Sequence, residues 1–155
     1  MHNAARASQW NFIRQLVECV STPQSVAVRN SHGSTVLHIV AQGGNLKTSM
    51  ALIQKNPDLI QMVDNKGKLP LFFAIYRKNK KLAWYLSLKN IADSDSNQSG
   101  FIPSLPGILH NLIQSGYCDI ALYFVRRFPQ LALAKDEDGN SLLKWMCLDG
   151  SRDYS

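Results

Sequence analysis

The stretch from Gly33 to Asn45, Gly-Ser-Thr-Val-Leu-His-Ile-Val-Ala-Gln-Gly-Gly-Asn, constrains the fold more than any other part of the chain. Thr35 is placed to cap a helix by accepting a backbone hydrogen bond, and Gly44 can adopt the left-handed conformation that ends one. Apolar residues between them recur at helical spacing. The pattern therefore predicts a helix of about two turns, which needs other helices to pack against because so short a helix is marginal in water.

Related stretches recur along the chain at intervals typical of helical repeats. Gly67–Asn79 follows at a step of about 34 residues, and a third copy around Leu109–Gly116 follows after about 38. A fourth copy, Gly139-Asn-Ser-Leu-Leu143, restores the opening of the first, and His2–Ala5 matches the remainder of an earlier one. The chain is therefore expected to consist of about four to five copies of one unit.

Each unit also contains a second, longer helix. Apolar residues near helical spacing follow the first helix, and two of these segments end in Asn56-Pro-Asp-Leu59 and Phe128-Pro-Gln-Leu131. Proline disfavours the α conformation in the residue before it, so each outer helix should end there. Gly-containing turns then lead into the next unit. We therefore predict an all-α solenoid with short β-turn fingers, whose units span roughly residues 1–29, 30–63, 64–97, 98–135 and 136–155, the first and last incomplete.

The stretch from Lys89 to Gly107 departs from this repeat. It is rich in Ser, Asp, Asn and Gly, which predicts a loop. Within it, Phe101-Ile-Pro-Ser-Leu-Pro106 is expected to lie extended along the groove side of the repeats, before the third helix pair begins.

Residues 33–45 resemble the ankyrin signature, whose core is Thr-Pro-Leu-His-x-Ala. Residues 67–79 keep much of that signature, with Leu69 in place of the capping Thr and Phe72 in place of the His, and with Pro70 at the first helical position. The resemblance implies a non-catalytic scaffold that binds another protein. Its partner is not identified by any residue of the sequence.

Three further phrases, Asn56–Leu59, Ser115–Tyr123 and Arg126–Gly139, are similar to one subgroup of this family. These are plant ankyrin proteins with a C-terminal membrane block that carries a Pro-Gly-Gly motif, and the block is absent from this sequence. The resemblance implies repeats that face the cytosol and a role in immune or stress signalling.

Ankyrin stacks bind partners through turn tips and the inner helix face, which form a rigid concave surface. Tyr76, Phe73, Arg77 and Trp145 are residue types that often anchor interfaces, although Phe73 and Trp145 could instead be partly core. Carried over position by position, the resemblance implies a partner-binding surface made of Ser31, His32, Ser34, Gln42, Lys66, Lys68, Phe73, Tyr76, Arg77, Gln114, Asp138 and Trp145.

The formal net charge is +6, and Arg77-Lys-Asn-Lys-Lys81 concentrates positive charge in one loop between helices. A solvated loop is one interpretation. The alternative is a regulatory or membrane-proximal module that uses this loop to bind an acidic protein or an anionic lipid surface. Nucleic acid is not expected, because no aromatic residues interleave with the lysines.

Nothing in the sequence predicts a catalytic residue, a cofactor or a metal site. His38 and His110 occupy matching repeat positions, which favours a structural role that ties the turn to the helix and one unit to the next. Cys19, Cys118 and Cys147 lie in apolar helical patterns and are expected to be reduced core thiols.

No apolar run approaches the ~18 residues that would span a bilayer, and the N-terminus lacks a signal pattern, so we expect a soluble cytoplasmic protein. In a longer chain it would sit at the cytosolic face of a membrane. The short apolar helix over Leu142–Leu148 has no following partner helix, which predicts self-association or a covering segment. A fragment, a short isoform and a self-covered end all remain open.

Overall fold

The computed structural model describes residues 9–94, 101–135, 138–142 and 144. The chain divides into two compact units, Met1–Ile102 and Pro103–Ser155. The described residues form seven α-helices and no β-strand, in agreement with the predicted all-α class. The helices are α1 Trp10–Cys19, α2 Val36–Gly43, α3 Leu46–Lys55, α4 Pro70–Tyr76, α5 Lys80–Ser94, α6 Phe101–Gln114 and α7 Cys118–Arg127.

The first unit has the two layers that repeated helix pairs require. The short inner helices α2 and α4 pack against each other, and α2 pairs with α3 as α4 pairs with α5. Helix α1 packs on α3 and so belongs to the outer layer. The inner helix α2 buries every residue from Val36 to Ala41, whereas α1 and α3 bury only one stripe and face water elsewhere.

The ends of the helices follow the local signals in the sequence. Thr35 and His38 form a capping box at the start of α2, and Gly44 ends that helix with φ +75°. Asn45 and Asn79 cap the outer helices, since each side-chain oxygen accepts a backbone N–H one turn ahead. As predicted, α3 and α7 stop just before their Asn-Pro and Phe-Pro pairs, and a short 3-10 helix follows each.

Two β-turn fingers, residues 30–34 and 64–68, confirm the predicted turns between units. The side-chain oxygen of Asn30 accepts the backbone N–H groups of His32 and Ser34, at 2.9 and 3.0 Å. Asp64 does the same for the N–H groups two and four residues on, at 2.8 and 2.9 Å. One carbonyl or carboxylate oxygen thus organises each finger, and the two fingers have the same internal design.

The predicted extended segment at Phe101–Pro106 is wrong, because these residues are the first part of helix α6. Pro103 lies in the first turn, where a missing N–H breaks no intrahelical bond. Pro106 lies further in, yet it removes only one hydrogen bond close to the helix start. The loop predicted from Lys89 is also shorter than expected, since α5 continues to Ser94.

The prediction of core cysteines is wrong for the two that the structure describes. Cys19 and Cys118 are both free thiols and both exposed. Cys19 ends α1, whose buried stripe is Ile13 and Val17, so position 19 falls on the other face. Cys118 begins α7 ahead of that helix's buried residues. Cys147 lies outside the described residues.

Substitution of Gly33 by Ala is expected to lower the free energy of unfolding by at least about 2 kcal/mol. Gly33 has φ +73°, and a Cβ atom there would lie 2.8 Å from the backbone nitrogen of Asn65 in the next finger. The substitution therefore combines backbone strain with a clash between the fingers. Urea denaturation of the full chain measures the loss.

The matched control is Gly67→Ala, because Gly67 has nearly the same φ, +68°, but a Cβ atom there would meet nothing within 4 Å. It should cost about 1 kcal/mol, the price of the left-handed conformation alone. Equal losses for the two variants would show that close contact between the fingers does not contribute to stability.

Candidate partner-binding groove

A groove with a volume of about 490 Å³ runs between the two fingers and the inner helices of the first unit. The fingers provide one wall, and α2 and the start of α4 provide the other wall and the floor. We call this site the finger groove. Its lining residues are Asn30, Ser31, His32, Ser34, His38, Ile39, Gln42, Asp64, Asn65, Lys66, Lys68, Phe72 and Phe73.

The two fingers are held together by hydrogen bonds from Asn65. Its backbone N–H donates to the carbonyl of His32 at 3.0 Å, and its Nδ2 donates to the carbonyl of Ser31 at 3.1 Å. Arg29 adds a third bond from Nη1 to the carbonyl of Val63, at 2.6 Å. The finger wall is therefore fixed although the described residues place no strand in it.

His38 joins this wall to the helices from inside the core. It is 1% exposed, and its Nδ1 accepts the backbone N–H of Thr35 at 3.1 Å. The ring proton is then on Nε2, which donates to the carbonyl of Lys68 in the next finger at 3.1 Å. This is the structural role that the sequence predicts for His38. His110, its counterpart, is half-buried in the second unit.

The floor of the groove is aromatic. The rings of Phe72 and Phe73 meet edge to face with centroids 5.7 Å apart, and Phe72 also stacks on Tyr76 at 6.4 Å. Phe73 in turn contacts the ring of His38 at 5.7 Å. The Nζ atom of Lys68 lies 4.9 Å from the centre of the Phe72 ring, in a cation–π contact. These contacts hold Phe72 and Phe73 in position. Both side chains are half-buried, so part of their aromatic surface is open to solvent.

A second set of hydrogen bonds joins two consecutive repeats at the C-terminal ends of the inner helices α2 and α4. Arg77 Nε donates to the carbonyl of Gln42 at 3.1 Å, and Asn79 Nδ2 donates to that of Gly44 at 2.7 Å. Lys78 adopts φ +56°, in the position that Gly44 occupies one unit earlier. Tyr76 is 71% exposed at this end of the groove.

Most of the predicted partner-binding residues of the first unit come together at this site. Ser34 is only 7% exposed and contributes little surface. Tyr76 and Arg77 are exposed where α4 ends. The predicted residues that line the finger groove itself are Ser31, His32, Ser34, Gln42, Lys66, Lys68 and Phe73.

Three predicted partner-binding residues remain: Gln114, Asp138 and Trp145. Gln114 and Asp138 are exposed and belong to the second unit. Trp145 lies outside the described residues, as does most of the C-terminal apolar helix on which the predicted self-association depends.

Phe72 is one of the groove-lining residues that are absent from the predicted partner-binding set. In the repeat pattern it aligns with the buried His38. The signal that could have identified it is chemical: a phenylalanine cannot make the bonds that hold a histidine at this position. It lies instead half-exposed on the groove floor.

A second depression of about 400 Å³ lies on the outer layer, between α3 and α5. Tyr85 lines it, and burial raises the pKa of the Tyr85 phenol. None of the predicted partner-binding residues is there.

The described part of the chain brings together no group of three or more His, Cys, Asp or Glu side chains that could hold a metal ion. Among the same residues, no helix is both long enough and apolar enough to cross a lipid bilayer.

The family model for ankyrin repeats, in three copies, matches residues 1–98. The chain belongs to the ankyrin-repeat family. Together with the helix pairs and fingers, this match confirms the predicted ankyrin-repeat solenoid. Ankyrin repeats generally mediate protein–protein interaction and are typically non-catalytic. No curated protein gives a significant sequence match to this ankyrin chain. Its division into five units stays a prediction.

His38→Ala is expected to lower the free energy of unfolding by at least about 2 kcal/mol. It leaves a cavity, removes the hydrogen-bond partner of the Thr35 amide and removes one of the two hydrogen bonds that the Lys68 carbonyl accepts, the other coming from the Asp64 amide. Chemical denaturation gives the loss, and hydrogen exchange at the Thr35 amide should become faster.

His32→Ala is the matched control, because it truncates an exposed histidine in the finger and should change stability by less than about 0.5 kcal/mol. Unchanged exchange at Thr35 in His38→Ala would contradict the structural role of the imidazole.

Proposed function

We propose that this ankyrin domain binds another protein through the finger groove. The observation that carries the proposal is the fixed backbone around the groove. Asn65, His38 and Arg77 each make a hydrogen bond to the preceding or following repeat, so the walls and floor are held before any partner arrives.

A fixed groove matters because ordering side chains and loops is a main cost of association. Rigid positions reduce that cost, so affinity can come from a few well-placed contacts. Tyr76, Phe73 and Arg77 are residue types that most often supply such contacts, and all three are at least partly exposed. Gln114, Asp138 and Trp145 are proposed as further contacts supplied by the later repeats.

The proposed cellular setting is a cytosolic module in plant stress or immune signalling. It is supported by the phrases Asn56–Leu59, Ser115–Tyr123 and Arg126–Gly139, which resemble the plant subgroup with a membrane block. In that setting the repeats would present the finger groove to a cytosolic partner.

The alternative proposal places binding on the basic loop. Arg77, Lys78, Lys80 and Lys81 are all exposed, as that interpretation requires. In this case the partner is an acidic protein or an anionic lipid surface, and the finger groove takes no part.

Tyr76→Ala and Arg77→Ala should each weaken partner binding by more than about 1 kcal/mol, or about fivefold. Quantitative affinity capture from the cells that express the protein compares the wild type with each variant. Leu133→Ala is the matched control, because Leu133 is 77% exposed and belongs to the second unit, so its truncation should change nothing.

The double variant Lys80→Glu with Lys81→Glu separates the two proposals. Capture that is lost in this variant but kept in Tyr76→Ala would replace the finger groove by the basic loop. Capture that is equal in all of these variants would refute both.

A further inference from the structure

Positively charged side chains outnumber negatively charged ones along the finger groove. Lys66 and Lys68 line it, and Arg77 is exposed at its end. Among the described lining residues, Asp64 is the one acidic side chain. The groove thus presents cations on the finger wall and at the end of α4.

Asp64 offsets only part of this positive charge, and its carboxylate is largely buried. It is 9% exposed, and its Oδ1 accepts the backbone N–H groups of Lys66 and Lys68. The carboxylate is therefore committed to holding the finger together. Its single negative charge is outnumbered by the positive charges of Lys66, Lys68 and Arg77, so the groove keeps a net positive charge.

The floor offers a place for an apolar side chain. Phe72 and Phe73 are half-exposed, and their edge-to-face contact together with the Phe72–Tyr76 stack keeps their faces in position. Aromatic rings accept other aromatic or aliphatic groups at such angles. A volume of about 490 Å³ falls within the ~300–1,000 Å³ typical of ligand pockets, so it suits a short segment.

We propose that the finger groove recognises a short acidic segment of another protein, in which carboxylates flank one aromatic or large aliphatic anchor residue. The anchor packs on Phe72 and Phe73, and the carboxylates reach Lys66, Lys68 and Arg77. This inference rests on the proposed function and adds the chemistry of the partner to it.

The geometry favours a protein segment over a lipid surface. A bilayer surface would meet the projecting cations Lys78, Lys80 and Lys81 on the loop, but a flat surface cannot reach the aromatic floor between the fingers and α2. A peptide side chain can enter that space. Binding should therefore need the anchor and the charges together.

The direct test is a titration of the full chain with a fluorescent peptide in which a phenylalanine is flanked by glutamates on both sides. Two companion peptides replace the glutamates by glutamines or the phenylalanine by alanine. We expect the parent peptide to bind, each companion to bind at least about tenfold more weakly, and affinity to fall as salt is raised.

Matched protein variants locate the charge effect. Lys66→Gln with Lys68→Gln should weaken the parent peptide by about tenfold. Lys78→Gln with Lys81→Gln removes the same net charge outside the groove lining and should change affinity less than about twofold, apart from the general charge effect. Thermal denaturation of both variants checks that each is folded. Equal weakening in the two variants would overturn the proposed charge recognition at the groove.

A selection from a random peptide library on the immobilised chain separates failure of this inference from failure of the proposed function. Enriched peptides that lose binding in Tyr76→Ala and carry acids around an apolar residue support both. Groove-dependent peptides without acids overturn the inference and leave the function standing. Enriched peptides that are insensitive to every groove variant overturn both. Vesicles that contain phosphatidylserine provide a separate test. If the chain prefers these vesicles and binds them through Lys78 and Lys81, a lipid surface replaces the protein partner.

Discussion

The hydrogen bonds between consecutive repeats are the interactions on which the finger groove depends. A finger is a turn with almost no apolar surface, so hydrophobic burial cannot fix it in place. His38 fixes one finger from the core through the carbonyl of Lys68, and Asn65 fixes that finger to its neighbour through two carbonyls. The side chains that donate to these carbonyls therefore also determine where the groove wall stands.

The most informative positions are those where a unit departs from the repeat. His38 is buried and makes three polar contacts, whereas Phe72, one unit later, can make none of them. Phe72 instead stacks on Tyr76 and lies beneath the amino group of Lys68. The same helix position therefore supports the fold in one repeat and forms part of the groove floor in the next. Replacement of the consensus histidine adds Phe72 to the floor beside Phe73.

The groove itself was only partly predictable. The ankyrin pattern predicted which positions would face a partner, and most of those in the first compact unit lie together around one site. It could not indicate that Asp64 is used up by its own finger, because that depends on the turn closing around the carboxylate. Nor could the repeat pattern show that Ser34 is nearly buried.

The sequence by itself determined the repeat length, the helix starts at Thr35 and Pro70, and the stops at Gly44 and before the prolines. These features are local, because a cap, a left-handed glycine or an X-Pro pair acts within a few residues of itself. Only the tertiary structure decided that Phe101–Pro106 is helical, that Cys19 faces water and that Asn65 closes on the preceding finger. Such outcomes depend on packing between segments that lie far apart in the sequence, where burial and long-range hydrogen bonds outweigh local preference.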